Sequence, residues 1–241
     1  GYSLVFTLVI VSVGVVSFGG LSAFQDVENF ERQSNAQKAY DVLHNNLEDI
    51  YYQGAPSRGT EIDLGDTSLA MGENVTINVT IDQNDGTRKI YEVTSQPLVQ
   101  DLGSGSKLVY EAGAVFQTTR NGGLVRQSPP MLLGGNTTNI VVPDVVQPNE
   151  RSVGSGTVLI RARSSDRRLR YSNTSRDEPA NLTINITSPR ADLWAEYLTS
   201  TDAFSDSNCK PSSPTTRVVC GPVPQSQIYV TESDIKLYFD R

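Results

Sequence analysis

Two hydrophobic periods divide the chain. Ala36, Tyr40, Leu43, Leu47 and Ile50 recur at spacings of 4, 3, 4 and 3. Such a stripe lies along one face of an α-helix. Between these positions stand Glu31, Arg32, Gln37, Lys38, Asp41, Asn45, Asn46, Glu48 and Asp49, which make the opposite face polar. Upstream, residues 1–25 contain no Asp, Glu, Lys, Arg or His, and read as an apolar block from Tyr2 to Phe24. Its length meets the roughly 20 residues that a bilayer-spanning helix needs. Gly54 followed by Pro56 is a stop signal, because glycine takes the left-handed C-terminal position and proline cannot continue the ladder. The pattern predicts one unbroken helix over 1–53, apolar over 1–25 and amphipathic over 26–53. At 1.5 Å per residue it would be on the order of 80 Å long.

From Thr60 onward the period changes to two. Asn74-Val-Thr-Ile-Asn-Val-Thr-Ile81 alternates strictly, and Asn84-Asp85-Gly86 predicts a turn into a second strand over 87–94. Further strands are expected at 107–111, 114–119, 124–127, 139–142, 157–163, 168–172, 181–187, 217–220, 227–231 and 235–239. Gly, Pro, Asn and Ser clusters separate them, as in a sandwich or barrel. Ser188 as N-cap and Pro189 as first residue predict one short helix carrying Leu193, the single Trp194, Tyr197 and Leu198. The expected class is α+β: a long N-terminal helix, with a core segment at 1–25 and a stalk at 26–53, followed by a sandwich-like β head over 57–241 that contains one short helix.

Charge narrows the function classes. The net charge of −7 and pI near 4.8 argue against nonspecific binding to nucleic acid or to an anionic membrane surface. Only five of the 20 basic residues are lysine. Arg161, Arg163, Arg167, Arg168, Arg170 and Arg176 cluster densely, and the expected arrangement is a strand face and turn meeting acidic residues; binding of a polyanion is the competing reading.

No catalytic or cofactor-binding residues and no metal ligands are singled out, and the chain is not expected to be an enzyme. The one histidine, His44, falls on the amphipathic helix, and is expected to face solvent or an interface. Gly103-Ser-Gly-Ser-Lys107 matches a phosphate loop only superficially, without a following helix. Asp192 and Glu196, one helical turn apart, read as a solvated face. Cys209 and Cys220 are the only cysteines and allow one intrachain disulfide, as an extracellular setting permits. Asn74, Asn78, Asn136, Asn173, Asn181 and Asn185 begin Asn-X-Ser/Thr sequons. With Val75, Ile77, Val79 and Leu182, Ile184, Ile186 facing a core, Asn74, Asn78, Asn181 and Asn185 face outward and are open to N-linked glycans.

Gly1-Tyr-Ser-Leu-Val-Phe-Thr-Leu-Val-Ile10, Asn45-Asn-Leu-Glu-Asp-Ile50 and Gly54-Ala-Pro-Ser-Arg58 together resemble archaeal type IV pilin-like proteins, those of haloarchaeal surfaces in particular. The resemblance covers residues 1 to about 58. It implies a prepilin peptidase that cuts before the apolar segment, and a membrane stage with assembly machinery. A helical homopolymer outside the cell follows, serving adhesion or surface attachment. The implied polymerisation core is Leu4, Val5, Phe6, Leu8, Val9, Ile10, Val13, Val16, Phe18, Leu21 and Phe24. Bacterial pilins carry an acidic residue at the fifth mature position, where this chain has Val5, so apolar packing alone would drive assembly. The alternative expectation is a monomeric, membrane-anchored surface protein whose β domain binds a ligand or carbohydrate.

Overall fold

The alternating stretch at 74–81 forms a strand whose odd residues, Val75, Ile77, Val79 and Ile81, are buried, while its even residues stay partly exposed. The computed structural model describes residues 2–103, 105–135, 137–148, 152–173, 178–212 and 216–240. In chain order the elements are α1 (Tyr2–Gln53), β1 (Ser57–Asp63), β2 (Ser68–Met71), β3 (Val75–Asp82), β4 (Arg88–Ser95), β5 (Leu98–Asp101) and β6 (Lys107–Glu111). There follow β7 (Ala114–Thr119), β8 (Gly122–Gln127), β9 (Met131–Leu133), β10 (Thr137–Val146), β11 (Ser152–Gly154) and β12 (Thr157–Asn173). The chain ends with β13 (Ala180–Thr187), α2 (Ala191–Thr199), β14 (Cys209–Pro211), β15 (Arg217–Gln225) and β16 (Gln227–Asp240).

The strands form three sheets, in the orders β1-β12-β16-β10-β9, β11-β2-β5-β6-β7-β8 and β14-β15-β13-β3-β4. β10 and β16 run parallel, with Asp144 opposite Asp234, and the other described pairs are antiparallel. The predicted hairpin is present in register, with Val79 opposite Tyr91. Two pairs of predicted strands merge: 157–163 with 168–172 into β12, and 227–231 with 235–239 into β16. Irregularities at Ser164/Asp166 and Leu169/Tyr171 let these long strands stay paired while they bend.

Two hydrophobic cores lie on opposite faces of the central strands. Val109, Ala114, Phe116, Ile140, Val142, Ile228 and Val230 face one core, with β3, β13 and α2. Leu108, Tyr110, Val115, Val141, Val145, Ile235 and Leu237 face the other, with α1 and the first half of β12. Successive residues of β6, β7 and β10 therefore enter different cores, which is why these strands read as continuous apolar runs.

The expected α+β class is corrected: the chain is mostly β, with two helices among the described residues. Apart from Tyr2 and Thr7, the side chains of α1 are described only from Phe30 onward. The described residues contain no long apolar helix, and none long and apolar enough to cross a membrane. A two-sheet sandwich is likewise replaced by three sheets around two cores. The physical reason is that the 36–50 stripe, the most visible period in the chain, is part of the β body's own core: Ala36, Tyr40, Leu43, Leu47 and Ile50 are all buried there. Short strands such as β2, β9, β11 and β14 carry too few residues to show alternation, so β content is underread.

The short helix also starts later than predicted. Ser188 precedes it, and α2 begins at Ala191 after Arg190, with no side-chain cap on the N-cap residue. Ser188 Oγ instead accepts a hydrogen bond from the Arg190 backbone N–H at 2.9 Å and donates to Glu111 Oε1 at 2.6 Å.

Candidate functional site

Charged side chains gather where β12, β16 and β10 lie side by side. Pairing sets Arg168 opposite Glu232, and Asp166 and Asp144 opposite Asp234 from either side. Alternation puts the side chains of Glu232 and Asp234 on the same face of β16. Arg168 donates to Glu232 Oε1 at 3.0 Å and to Asp234 Oδ2 at 2.7 Å, and lies 3.4 Å from Asp166 Oδ2. Arg170 Nη1 stands 3.1 Å from Glu232 Oε2, within ion-pair distance but not aligned for a hydrogen bond. Its guanidinium also lies over the Tyr91 ring, 5.9 Å from the centroid.

The carboxylates of Asp144, Glu232 and Asp234 each bring an oxygen within 4.8 Å of the others. Desolvation first, then the neighbouring Asp234 and Glu232, push the Asp144 carboxyl up to about 6, against a smaller opposing effect of Arg168. The three are the only such grouping among the described residues. Oxygen-only donors of this kind suit a hard cation, but Arg168 and Arg170 already supply positive charge to two of them. The arrangement is an ion-pair network that ties the long strands together.

The arginine cluster resolves accordingly. Arg161 pairs with Asp240, Arg163 lies over the Tyr238 ring at 5.8 Å, and Arg168 and Arg170 pair as above. Arg167 is exposed, and Arg176 lies outside the described residues. The acidic partners anticipated for this cluster are present on its own chain. Sequence reading missed Asp144, Glu232 and Asp234. The signal was available as Glu232-Ser-Asp234 at i, i+2 on one strand face, matching Arg168-Leu-Arg170 at the same interval.

A second polar centre is buried. Glu111 closes β6 before a tight turn in which Ala112 and Gly113 both have positive φ, 46° and 91°. A Cβ at Gly113 would lie 2.2 Å from Pro130 Cδ, so glycine is needed both for its φ and for the close approach. Glu111 is fully buried, and its carboxylate accepts from Trp194 Nε1 at 2.6 Å, from Ser188 Oγ and from Arg190 Nε. This locks α2 onto the sheet, with Trp194 edge-on to Phe116 at 5.5 Å. Asp192 and Glu196 stand exposed on the same helix.

The expected sequon face is present on β3 and β13. Asn74 and Asn181 are exposed, and Asn78 and Asn185 are half-buried and directly opposite one another. Arg217 Nε donates to Asn185 Oδ1 at 2.8 Å. Asn173 ends β12 and donates to the Glu178 carbonyl at 3.2 Å. Asn136 lies outside the described residues. Cys209 and Cys220 sit opposite each other on β14 and β15 and form the predicted disulfide. His44, expected to face solvent or an interface, is buried, with neither ring nitrogen hydrogen-bonded among the described residues. The side chains of Leu4, Val5, Phe6, Leu8, Val9, Ile10, Val13, Val16, Phe18, Leu21 and Phe24 lie outside the described residues, so the site places none of them. Gly103 and Gly105 belong to the loop between β5 and β6, followed by a strand rather than a helix.

No curated protein matches the chain, and neither does any solved structure. One family does match, over residues 1–238, and its description is a family of unknown function. Since that match spans nearly the whole sequence, the chain belongs to this family of unknown function, DUF7289.

Proposed function

We propose that this protein is a structural subunit of an extracellular, type IV pilin-like filament, a homopolymer that serves adhesion or surface attachment. The observation that carries the reading is the anchorage of α1. Its second half is bound to the β body through Ala36, Tyr40, Leu43, Leu47 and Ile50, all buried. An anchored helix of this kind transmits load from the β body to whatever the preceding residues join. Those residues, 1–25, hold no charged side chain. Uncharged apolar surface of that extent is stabilised by burial against other copies at about 25 cal/mol per Å². On this reading a prepilin peptidase and membrane assembly machinery act before the subunit joins the polymer. Glycans at Asn74, Asn78, Asn181 and Asn185 would coat the outward sheet face and keep neighbouring filaments apart.

The test is polymerisation. Val11→Asp or Val13→Arg should abolish uniform thin fibres in negative-stain electron microscopy, while circular dichroism of the chain stays β-rich. Normal fibres from either variant would sink the proposal. The second reading, a surface-anchored monomer with a ligand-binding β domain, draws on a polar cleft beside α1. It predicts no fibres from the wild-type chain and a need for detergent to remain soluble.

A further inference from the structure

β3 and β13 are interior strands of one sheet, β3 lying between β4 and β13, and β13 between β3 and β15. Their outward face carries Asn78, Asn181 and Asn185, with Asn74 just before β3. The register treats these sequon asparagines unequally. Asn181 stands between Asp82 and Pro224, with no second sequon beside it. Asn78 and Asn185 stand directly opposite each other. Glu92 of β4 and Val219 of β15 occupy the outer places of that row, and both asparagines are half-buried in it. Cβ atoms of directly opposed residues lie roughly 4.5–5.5 Å apart.

Arg217 fixes which way the Asn185 amide is turned. Its Nε donates to Asn185 Oδ1 at 2.8 Å, and a guanidinium offers no acceptor to an amide nitrogen, so a flipped amide would lose the bond. Oδ1 therefore faces β15. Nδ2, on the other limb of the planar amide, is turned away from Arg217, toward β3 and Asn78. Nδ2 is the atom that an N-linked glycan substitutes. A sugar on Asn185 grows across Asn78, and a sugar on Asn78 covers the Nδ2 of Asn185. A pyranose ring with its equatorial hydroxyls is broader than the gap between the two Cβ atoms. We infer that Asn78 and Asn185 form one glycan site with room for a single sugar chain, and that Asn78 carries it, because linkage at Asn185 also disturbs the bond from Arg217. A chain bearing both sugars would have to part β3 from β13 at this row. The inference rests on the glycan-coated surface proposed above and sharpens it, since the sugars at Asn78 and Asn185 become alternatives on any one chain.

The test is made on the full chain from a glycosylating host. Asn74→Gln, Asn136→Gln, Asn173→Gln and Asn181→Gln combined leave only the pair, and intact-mass measurement should then show chains with one glycan and none with two. In the unsubstituted chain, glycopeptide occupancies at Asn78 and Asn185 should together not exceed one glycan per chain, most of it on Asn78. Asn78→Gln should raise Asn185 occupancy severalfold. Asn181→Gln, on the same strand but outside the row, should leave it unchanged. Arg217→Leu frees the Asn185 amide and should raise its share severalfold at the expense of Asn78. Two glycans on the pair-only chain, summed occupancies above one, or an Asn185 share indifferent to Asn78→Gln and Arg217→Leu would overturn the inference. So would an empty pair beside occupied Asn74 or Asn181, a result that leaves the glycan coat standing. Bare asparagines at every sequon would remove the coat itself, and the shared site with it.

Discussion

On one side of the central strands the core is closed by β3, β13 and α2; on the other it is closed by α1 and the first half of β12. The first core is held at its edge by directional bonds. Glu111 takes three donors from the α2 region, Tyr197 Oη donates to the Met131 carbonyl at 2.7 Å, and Cys209–Cys220 fastens β14 to β15. The second core relies on area. Along α1, Leu43, Leu47, Ile50 and Tyr51 are almost wholly buried, and most of the polar contacts that assist them are only partly buried: Gln37 with Gln117, Asp41 with Gln127, Asn46 with Thr60 and Asp49 with Arg58. Burial has also moved the tyrosine hydroxyls there, Tyr40, Tyr51 and Tyr110, well above the usual tyrosine range. The difference teaches that a nine-residue helix needs a polar anchor to stay in place, whereas a longer helix is held by its apolar stripe.

The most damaging single change should therefore fall on the anchor. Glu111→Ala leaves Arg190 with an uncompensated charge and Trp194 Nε1 and Ser188 Oγ without their acceptor. Loss of about 3–5 kcal/mol is expected in urea unfolding. A loss below 1 kcal/mol would mean that α2 is held by packing alone.

The α1 side should respond by volume. Leu47→Ala should cost about 2–5 kcal/mol, and Val42→Ala, half exposed on the same helix, within about 0.5 kcal/mol. This pair also tests whether the cores are separate units. Trp194 is the only tryptophan and lies in the first core, so its fluorescence reports that core while far-ultraviolet circular dichroism reports the whole. Because β6, β7, β10 and β16 line both cores, Leu47→Ala should shift the two midpoints together. A shift in circular dichroism alone would show that the second core opens independently.

An effect smaller than those at Glu111 and Leu47 is expected at Asp144, in the ion-pair network shared by β10, β12 and β16. Its carboxyl titrates near 6 in the folded chain, above the value of about 3.9 for an unfolded aspartate. Above pH 6 the charge is present in both states and its partial burial among Glu232 and Asp234 opposes folding. As pH falls from 6 to 4 the folded state takes up the proton first, and the penalty disappears. Asp144→Asn should therefore stabilise the chain at pH 8 by about 1 kcal/mol, after allowing for solvent screening of a half-buried group. The gain should fade to nothing near pH 4. Thermal melts at the two pH values decide this, and an equal gain at both would remove the electrostatic account.

Local pattern was enough for some elements and not for others. The 74–94 hairpin, the strands at 107–111 and 114–119, and the paired cysteines were legible because each depends on residues near in sequence: an Asn-Asp-Gly turn between alternating Val and Ile, the short apolar runs Leu108-Val-Tyr110 and Ala114-Val-Phe116, and a count of two. The inward Val and Ile of β3 and β13 likewise established which asparagines face out. His44 was misplaced because a single polar residue beside an apolar stripe looks the same whether the facing surface is solvent or a sheet.

The sequence by itself determined the 74–94 hairpin, the disulfide, the acidic charge and the identity of the outward sequon face, since periodicity and turn chemistry act over a few residues. Only the tertiary structure decided that the α1 stripe belongs to the β body's core and that the β region divides into three sheets. It also decided that Arg161, Arg168 and Arg170 of β12 meet acidic residues of β16. Each of these depends on which distant strands meet and in what register. A shift of one residue would turn every side chain of a strand to its other face, and nothing within a single strand's sequence records that choice.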